Sequence, residues 1–588
     1  MISGRVAQHN EVFNELGPGH LVTGYIDFTD PLGNNTTIAG WDAGGGSHQR
    51  ISGFWNHQVS EFGRDQFNAD LSWFVGNLAG SHEFKIGYEF EDISVVNESW
   101  NGGAGQRIYR FTCDPTARYC GEPGEEVDYY YRHRIFLSSD DLDPTQLTPA
   151  DIQAPIVVDT KAENQAYYIQ DTWQVLNNLT LDLGVRFGEQ KLFNALGGVS
   201  ADIDDNVAPR LGFIWDFLGN GKTKAYGHWG KFYETVPMDI VIRSYGAEIS
   251  IFSYNLSDDP GDVASDPRVR SSRILGGISR TDPATRGQYI EEYVVGVEYE
   301  FSPNWAAGVK YISRDLGRVI EDALAADGDY FIGNPSLGEM THTFDIGYAY
   351  GYNEVLHAVP TPKRTFEGIE FTVQKRFSNN FQFIASALFS TLEGNYDGTF
   401  QASTGQLDPN LNSAYDYYDF SVHNEGKLSN DLRYQWKFDG IYRFDFGLST
   451  GVSAYYRDGT PINAMGYSAA YNNYEYYLNF RGVGFGRVDK QYEADLHFGY
   501  PVQLGNNFEL NLLVDIFNVL NRQGETSRSL NYTDANLGTY EVVDWNTGED
   551  LPPITPNSAD RPPTAPEWNT ANVWQNPTTV RLGVRLSF

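Results

Sequence analysis

The end of the chain constrains the fold most. From Thr579 onward, Val580, Leu582, Val584, Leu586 and Phe588 alternate with Thr579, Arg581, Gly583, Arg585 and Ser587. Successive strand side chains point to opposite faces, so this segment has one apolar face and one polar face. The alternation recurs. Tyr492, Leu496, Phe498 and Tyr500 oppose Glu493, Asp495 and His497; Phe508, Leu510, Leu512 and Val514 oppose Glu509, Asn511 and Asp515. Tyr293, Val295, Val297 and Tyr299 oppose Glu292, Gly296 and Glu298; Leu179, Leu181, Leu183 and Val185 oppose Thr180, Asp182 and Arg186. A long apolar strand at a sheet edge is an aggregation hazard unless it is paired, and barrel closure pairs it. Periodicity alone still admits two solutions. A soluble sandwich turns its apolar face inward, and a membrane barrel with a wet lumen turns it outward.

Connection lengths separate the two. Short turns fall at Asn177-Asn178, Gly219-Asn220-Gly221, Ser302-Pro303-Asn304, Ser378-Asn379-Asn380, Phe446-Gly447 and Gly505-Asn506. These are residues that accept turn dihedrals. Between them lie long polar stretches at 193–205, 236–287, 317–364, 395–429, 459–486 and 521–577. Thirteen strands are expected from residue 162 on: 162–176, 179–192, 206–218, 222–235, 288–302, 304–316, 365–377, 380–394, 430–445, 447–458, 487–502, 506–520 and 578–588. Short and long connections then alternate without a break. An up-and-down barrel with unlike compartments on its two sides has this parity, and a Greek-key sandwich has no reason to keep it. Strands of this length also suffice for tilted membrane spans.

Composition narrows the function classes. The 588 residues carry 42 basic and 77 acidic side chains, a net charge of −35, so a phosphate backbone is repelled and nucleic acid is excluded as a partner. A hydrophobic share of 41% is too high for an acidic disordered chain. Two cysteines make neither a disulfide scaffold nor a cysteine-rich metal centre. There is no apolar run long enough for a membrane helix, and the opening MISGRVAQHN shows no basic stretch followed by an apolar one.

Several segments carry a family resemblance. They include Tyr168-Ile169-Gln170-Asp171-Thr172-Trp173, Asn178 to Arg186, Ala208-Pro209-Arg210-Leu211-Gly212-Phe213, and Gly230-Lys231-Phe232-Tyr233. With Glu291 to Glu298 and Arg581-Leu582-Gly583-Val584-Arg585, they resemble the barrel of TonB-dependent outer-membrane receptors. The hairpin Gly80-Ser81-His82-Glu83-Phe84-Lys85-Ile86-Gly87-Tyr88 is similar to the Oar-like branch of that family. Each motif is loose alone; their order over residues 65–588 is more specific. The resemblance implies an all-β transmembrane antiparallel barrel of 22 strands, filled by a plug domain. It also implies active transport, energised by an inner-membrane TonB-type complex that engages a short N-terminal box.

The chain departs from that pattern: no plug or TonB-contacting box is visible. Counting back from 578–588 as the last of the family's strands makes 81–94 the ninth and 65–78 the eighth, with two more expected around 20–29 and 49–62. The expectation is therefore one domain, residues 1–588, holding roughly 17–18 strands of an N-terminally truncated barrel whose plug is absent. Long loops are expected outside the cell, with short turns and the C-terminus in the periplasm. Trp215, Tyr299, Trp305 and Tyr500 are expected outward near the membrane boundaries.

Candidate sites are sparse. Cys113 and Cys120 sit in a polar loop. Assembly through an oxidising periplasm, as the resemblance implies, favours a disulfide between them. Two free thiols or a weak metal pair are the alternatives. Asp202, Asp204 and Asp205 are weak calcium candidates without EF-hand spacing, as are Asp258, Asp259, Asp262 and Asp266, and Asp140, Asp141 and Asp143. Solvated acidic loops are the plainer reading. Gly447-Leu448-Ser449-Thr450-Gly451 has the hydrolase nucleophile pattern but lies in an alternating strand rather than at a strand-to-helix elbow. No catalytic set, cofactor or firm metal site is read, and no enzyme activity is expected. Glu370, Arg376, Arg443, Asp445 and Asp495 could line a lumen, pair with one another or face a plug. The leading reading is an outer-membrane TonB-dependent transporter of unknown substrate. The alternative is a passive porin or surface adhesin, which a plug upstream would exclude.

Overall fold

The computed structural model describes residues 1–15, 24–27, 49–52, 56–76, 78–101, 106–112, 129–137, 156–246, 248–255, 271–277, 279–324, 330–344, 356–401, 409–468, 473–505, 508–533, 542–544, 547–554 and 564–588. Sixteen long antiparallel strands meander in chain order through one sheet. They are β1 Ile2–Glu15, β2 Asn56–Val75, β3 Ser81–Asn101, β4 Ile156–Leu176, β5 Leu179–Phe193, β6 Val199–Trp215, β7 Thr223–Tyr233 and β8 Tyr289–Ser302. Then come β9 Trp305–Arg318, β10 Arg364–Ser378, β11 Phe381–Gly394, β12 Tyr434–Arg443, β13 Ser449–Arg457, β14 Gln491–Gln503, β15 Glu509–Phe517 and β16 Thr579–Ser587. A two-residue piece, Gly426–Lys427, pairs with the end of β11 and makes the sheet seventeen-stranded. Among the described residues, no Greek-key crossing occurs within it. Among the described residues, no ladder joins β1 to β16.

The expected inversion of faces is present. On β8 the apolar residues Tyr293, Val295 and Val297 are the exposed ones (45, 52 and 40%), while Gly296 between them is buried. The same outward apolar face runs through Leu211 and Phe213 on β6, Val309 and Tyr311 on β9, Ile369 and Phe371 on β10, Trp436 and Phe438 on β12, and Leu582 and Val584 on β16. A soluble sandwich would bury these side chains; here the polar rows take the inside. Trp215, Tyr299 and Tyr500 are exposed on the apolar face close to the short turns. Trp305 shares that face and packs edge-on against Phe381 and Phe383.

By the alternation of an antiparallel meander, the short connections lie at one rim, except the turn between β5 and β6, which lies at the rim of the long connections. Their chemistry matches their dihedrals. Asn379 and Asn380 both take positive φ (50° and 70°) in the two-residue turn from β10 to β11, the signature of a turn that follows the strand twist. Asn304 does the same between β8 and β9.

Three expectations are corrected. The first wall strand is Ile2–Glu15, not a segment near 20–29; Gln8 and Asn10 interrupt its alternation, which hid it. Residues 24–27 and 49–52 instead join a six-stranded sheet outside the wall, and 56–62 open β2. The expected long loop at 193–205 is only a short turn, since β6 begins at Val199. Ala201 and Ile203 extend that strand because they bury against Ile240, Val241 and Tyr245 of helix α1, Met238–Tyr245. Among the described residues, no helix is long and apolar enough to cross a membrane.

The long connections fold on one another at the opposite rim. The six-stranded sheet assembles from 24–27, 49–52, 106–112, 129–137, 248–255 and 271–277. Three apolar clusters gather residues of the other connections. One joins Tyr417, Phe420, Tyr476, Leu478, Tyr532 and Val543; a second gathers Val319, Phe331, Met340, Val359, Tyr396 and Tyr415; the third surrounds α1. Most of these buried apolar residues belong to the connections, and the ends of β4, β5 and β6 add Ala162, Leu192, Ala201 and Ile203.

Candidate functional site: the inner wall and its cap

The inward face of the wall is a ladder of cross-strand charge pairs. Arg64 pairs with Glu91, Lys85 with Asp70 (3.1 Å), Arg186 with Glu89, and Lys224 with Glu298 (3.4 Å). Glu292 accepts from both His228 and Arg314, and Lys310 meets Glu370 at 2.7 Å. At the far end Asp515 receives His497 (2.6 Å) and Arg581 (2.8 Å). Strand pairing sets partners opposite each other, so opposite charges at facing positions stabilise the register. A concavity of about 660 Å³ lies on this face, lined among others by Gln374, Arg376, Gln382, Asp439, Asp495 and His497. Mixed charges and amides around a space of this size suit a hydrated polar solute or a polar protein surface.

The residues proposed for the lumen are drawn into neighbours rather than onto one another. Glu370 is held by Lys310, and Asp495 accepts the Asn518 backbone N–H at 2.8 Å. Asp445 takes the Asn380 amide at 2.6 Å, and Arg443 lies over the Phe377 ring. Arg376 lines the concavity. Two tyrosines, Tyr168 and Tyr226, lay their rings across the facing glycines Gly87 and Gly296; a Cβ at either glycine would meet ring atoms well inside contact distance.

Buried ion pairs lock the cap. Arg481, 1% exposed, donates to both Asp397 oxygens (2.5 and 2.6 Å), to Asn424, and lies over the Tyr477 ring at 4.7 Å. Arg487 bridges the buried carboxylates of Asp431 and Asp458, and Arg433 reaches Asp458 from the other side. Such pairs contribute little net stability but are costly to break singly, about 3–5 kcal/mol. They tie the connection after β11 to the one after β13. Sequence reasoning missed them. The available signal was the run Phe480-Arg481-Gly482-Val483-Gly484-Phe485-Gly486-Arg487, whose three glycines all take positive φ. Burial pushes the His423 imidazole down, so it stays neutral. Burial also pushes the Tyr245 phenol up to about 12, with its hydroxyl 2.7 Å from that of Thr281.

Of the calcium candidates, Asp205 is bonded by Arg318 (2.9 Å) and the Gly287 N–H (3.0 Å), and Asp202 faces Lys191 at 3.7 Å. Asp204 lies between Ile203 and Asn206, in the irregularity of β6 that breaks register with β5. Among the described residues, no group of three or more His, Cys, Asp or Glu is set to hold a metal. Cys113, Cys120, Asp140, Asp141, Asp143, Asp258, Asp259, Asp262 and Asp266 lie outside the described residues. Ser449 opens strand β13 and donates to the Gly499 carbonyl (3.0 Å), so the hydrolase-like pattern has no elbow.

Comparisons with known proteins agree with this geometry. A family model described as "TonB dependent receptor-like, beta-barrel" matches residues 8–237, and one described as "Outer membrane beta barrel domain" matches 190–457. The chain is 28% identical over 600 aligned residues to the TonB-dependent transporter Oar of Myxococcus xanthus, covering 94% of this chain and 52% of that protein. The wall is thus similar to the barrel of TonB-dependent receptor-like proteins. The chain also aligns with solved structures. It aligns with the outer membrane transporter YddB of Escherichia coli at TM-score 0.48 and 13% identity, over 88% of this chain and 56% of that one. It aligns with the pyoverdine receptor FpvA of Pseudomonas aeruginosa at TM-score 0.48 and 12% identity, over 91% and 54%. The chain spans about half the length of the relatives it matches.

Proposed function

We propose that this chain is the barrel part of an outer-membrane active transporter that moves its substrate with energy relayed by a TonB-type complex. The observation that carries the membrane reading is the outward apolar face of β6 to β16 over a polar, charge-paired inner wall. The match to a TonB-dependent transporter over nearly the whole chain supports the energised reading over a passive one. The cap of long connections is proposed to face outside the cell, with the short turns and Phe588 in the periplasm. Outward aromatics beside the short turns fit a membrane boundary at that rim.

We further propose that a plug domain, the TonB-contacting box and additional wall strands are supplied by upstream sequence in the native protein. Support comes from the half-length coverage of the relative and from the edges of β1 and β16, which share no ladder among the described residues. Unpaired backbone groups cost several kcal/mol each in lipid, so a working barrel must satisfy both edges. The polar inner wall, with the concavity beside Arg376 and His497, is then where a plug or solute sits.

The test is transport by the native protein in cells with and without a functional TonB homologue, and with the proton gradient collapsed. Loss of transport in both cases supports the proposal. Transport indifferent to both supports the passive porin or adhesin.

A further inference from the structure

Helix α1 packs on the inner face of the wall, at the mouth closed by the long connections. On β4 and β5 the even-numbered side chains face inward, Tyr168 over Gly87 and Arg186 on Glu89 among them, while Tyr167, Ile169 and Phe187 stand exposed on the outer face. Ala162 and Leu192 lie directly opposite each other on that ladder and share the inward parity. They are 0 and 2% exposed, and they join Ile240, Val241 and Tyr245 of α1 in one apolar cluster with Ala201 and Ile203. Gly246, which ends the helix, seats on Val158, another inward position of β4; a Cβ there would meet the valine methyls at 3.0 and 3.1 Å. Nearer the short turns the same faces carry Gln170, Thr172, Asp182 and Arg186. The inner wall is therefore apolar where α1 covers it and polar where it does not.

The cluster continues into Ile320 and Ile332, from the connection after β9, and Leu411, from the connection after β11. Those strands stand well round the sheet from β4 and β5, so α1 bridges between separate sectors of the mouth. Few polar ties hold it. The Gln190 side chain, inward on β5, accepts the Val236 N–H at Oε1 (2.8 Å) and donates from Nε2 to the Val236 carbonyl (3.2 Å). At the other end the Ala195 N–H donates to the Tyr245 carbonyl (3.0 Å) and the Ser279 N–H to that of Ser244 (2.8 Å). Pro237 stands at the N-cap and supplies no side-chain acceptor. A helix of eight residues without such a cap is marginal in water, so α1 is helical only while its apolar face is docked. Docking and coiling are one event, which gives the element two states.

We propose that α1 is a retractable strap across the mouth. Docked, it screens the inner face of β4 and β5 from the side of the long connections; uncoiled, it withdraws with its connection and opens the way to the wall beyond. Further down the same sector lies a concavity of about 320 Å³, lined among others by Gln170, Asp182, Arg210, Lys224 and His228. A polar solute entering at the mouth reaches that patch once the strap has withdrawn. The strap itself rests on the packing of α1, whereas its screening of the wall from outside the cell rests on the orientation proposed above.

A Leu192→Cys reporter under α1, placed in the native full-length protein, tests this. Its maleimide labelling is read at its own peptide by mass spectrometry. In detergent, where reagent meets both rims, labelling is expected to be slow and to rise by roughly tenfold or more when Val241→Asp is added, because an unpaired carboxylate is costly in an apolar contact. Gln190→Ala, which removes only the hook on Val236, should give a smaller rise, and unchanged heat-modifiable gel mobility shows that the wall is intact in each variant. Hydrogen exchange of the wild type should show 238–245 opening as one unit ahead of β4 and β5. Equal labelling with and without Val241→Asp, fast or slow, overturns the strap, as does exchange of 238–245 no faster than that of the two strands. Intact cells and a membrane-impermeant maleimide test the orientation separately. Leu192→Cys with Val241→Asp should label there, and an Asn220→Cys reporter at the short turns should not; the reverse pattern overturns screening from outside while the detergent result still decides the strap.

Discussion

Placing one charge on each face of strand β8 gives the sharpest test of which side of the wall meets lipid. Val294 and Val295 are adjacent, equally apolar, and point to opposite faces. Val295 is 52% exposed and sits near the middle of a strand of 14 residues. At ~3.4 Å per residue and a tilt of ~45° such a strand rises ~30 Å, about the thickness of a hydrocarbon core, so its middle lies near the bilayer centre. Val294 faces inward opposite His228, beside Glu292. Arginine at a lipid-facing midplane position costs about 2–4 kcal/mol, whereas a hydrated lumen tolerates it at small cost. Val295→Arg is therefore expected to lower folding stability by that amount. Val294→Arg should change it by less than about 1 kcal/mol, helped by the Glu292 carboxylate. Equilibrium urea unfolding of the native protein in lipid vesicles, followed by heat-modifiable gel mobility, reads both. Equal costs, or a larger cost for Val294→Arg, would refute the outward apolar face and restore the sandwich.

Arg481→Met should strand the Asp397 carboxylate without its cation and destabilise the cap locally by about 3–5 kcal/mol, seen as rapid proteolysis within 395–433 and 459–486 while the wall stays heat-modifiable. Gly296→Val should force the Tyr226 ring off its seat and cost about 1–3 kcal/mol by overpacking; restored stability in a Gly296→Val, Tyr226→Ala double variant would confirm that the ring is the obstacle. Cys113 and Cys120 should appear as one linked peptide pair in non-reducing mass spectrometry of secreted-compartment material, and two alkylatable thiols there would refute the disulfide. Asn379→Val should disfavour the positive-φ turn between β10 and β11, with slower assembly read by pulse-chase folding.

Strand existence and order were legible from the residues because a two-sided wall imposes a period of two; the alternation of short and long connections fails between β5 and β6, where a short turn stands in place of the expected loop. The segments 179–187, 292–301 and 508–516 carry that period almost unbroken, and each sits in a wall strand of the structure. Where other forces shape a strand the pattern fails. Ile2–Glu15 is recruited by a full-length ladder with β2 despite Gln8 and Asn10, and Val199 to Asp205 extends β6 because Ala201 and Ile203 pack on helix α1. Which face is wet was also beyond periodicity, since alternation is symmetric between inside and outside; only the curled sheet shows Val295 exposed and Glu292 paired with Arg314. The cap was least legible of all. Arg481 and Asp397 lie far apart in sequence and look like ordinary loop charges there. They become buried partners only when the long connections fold over one another, because burial is a property of tertiary packing and not of any residue's neighbours along the chain.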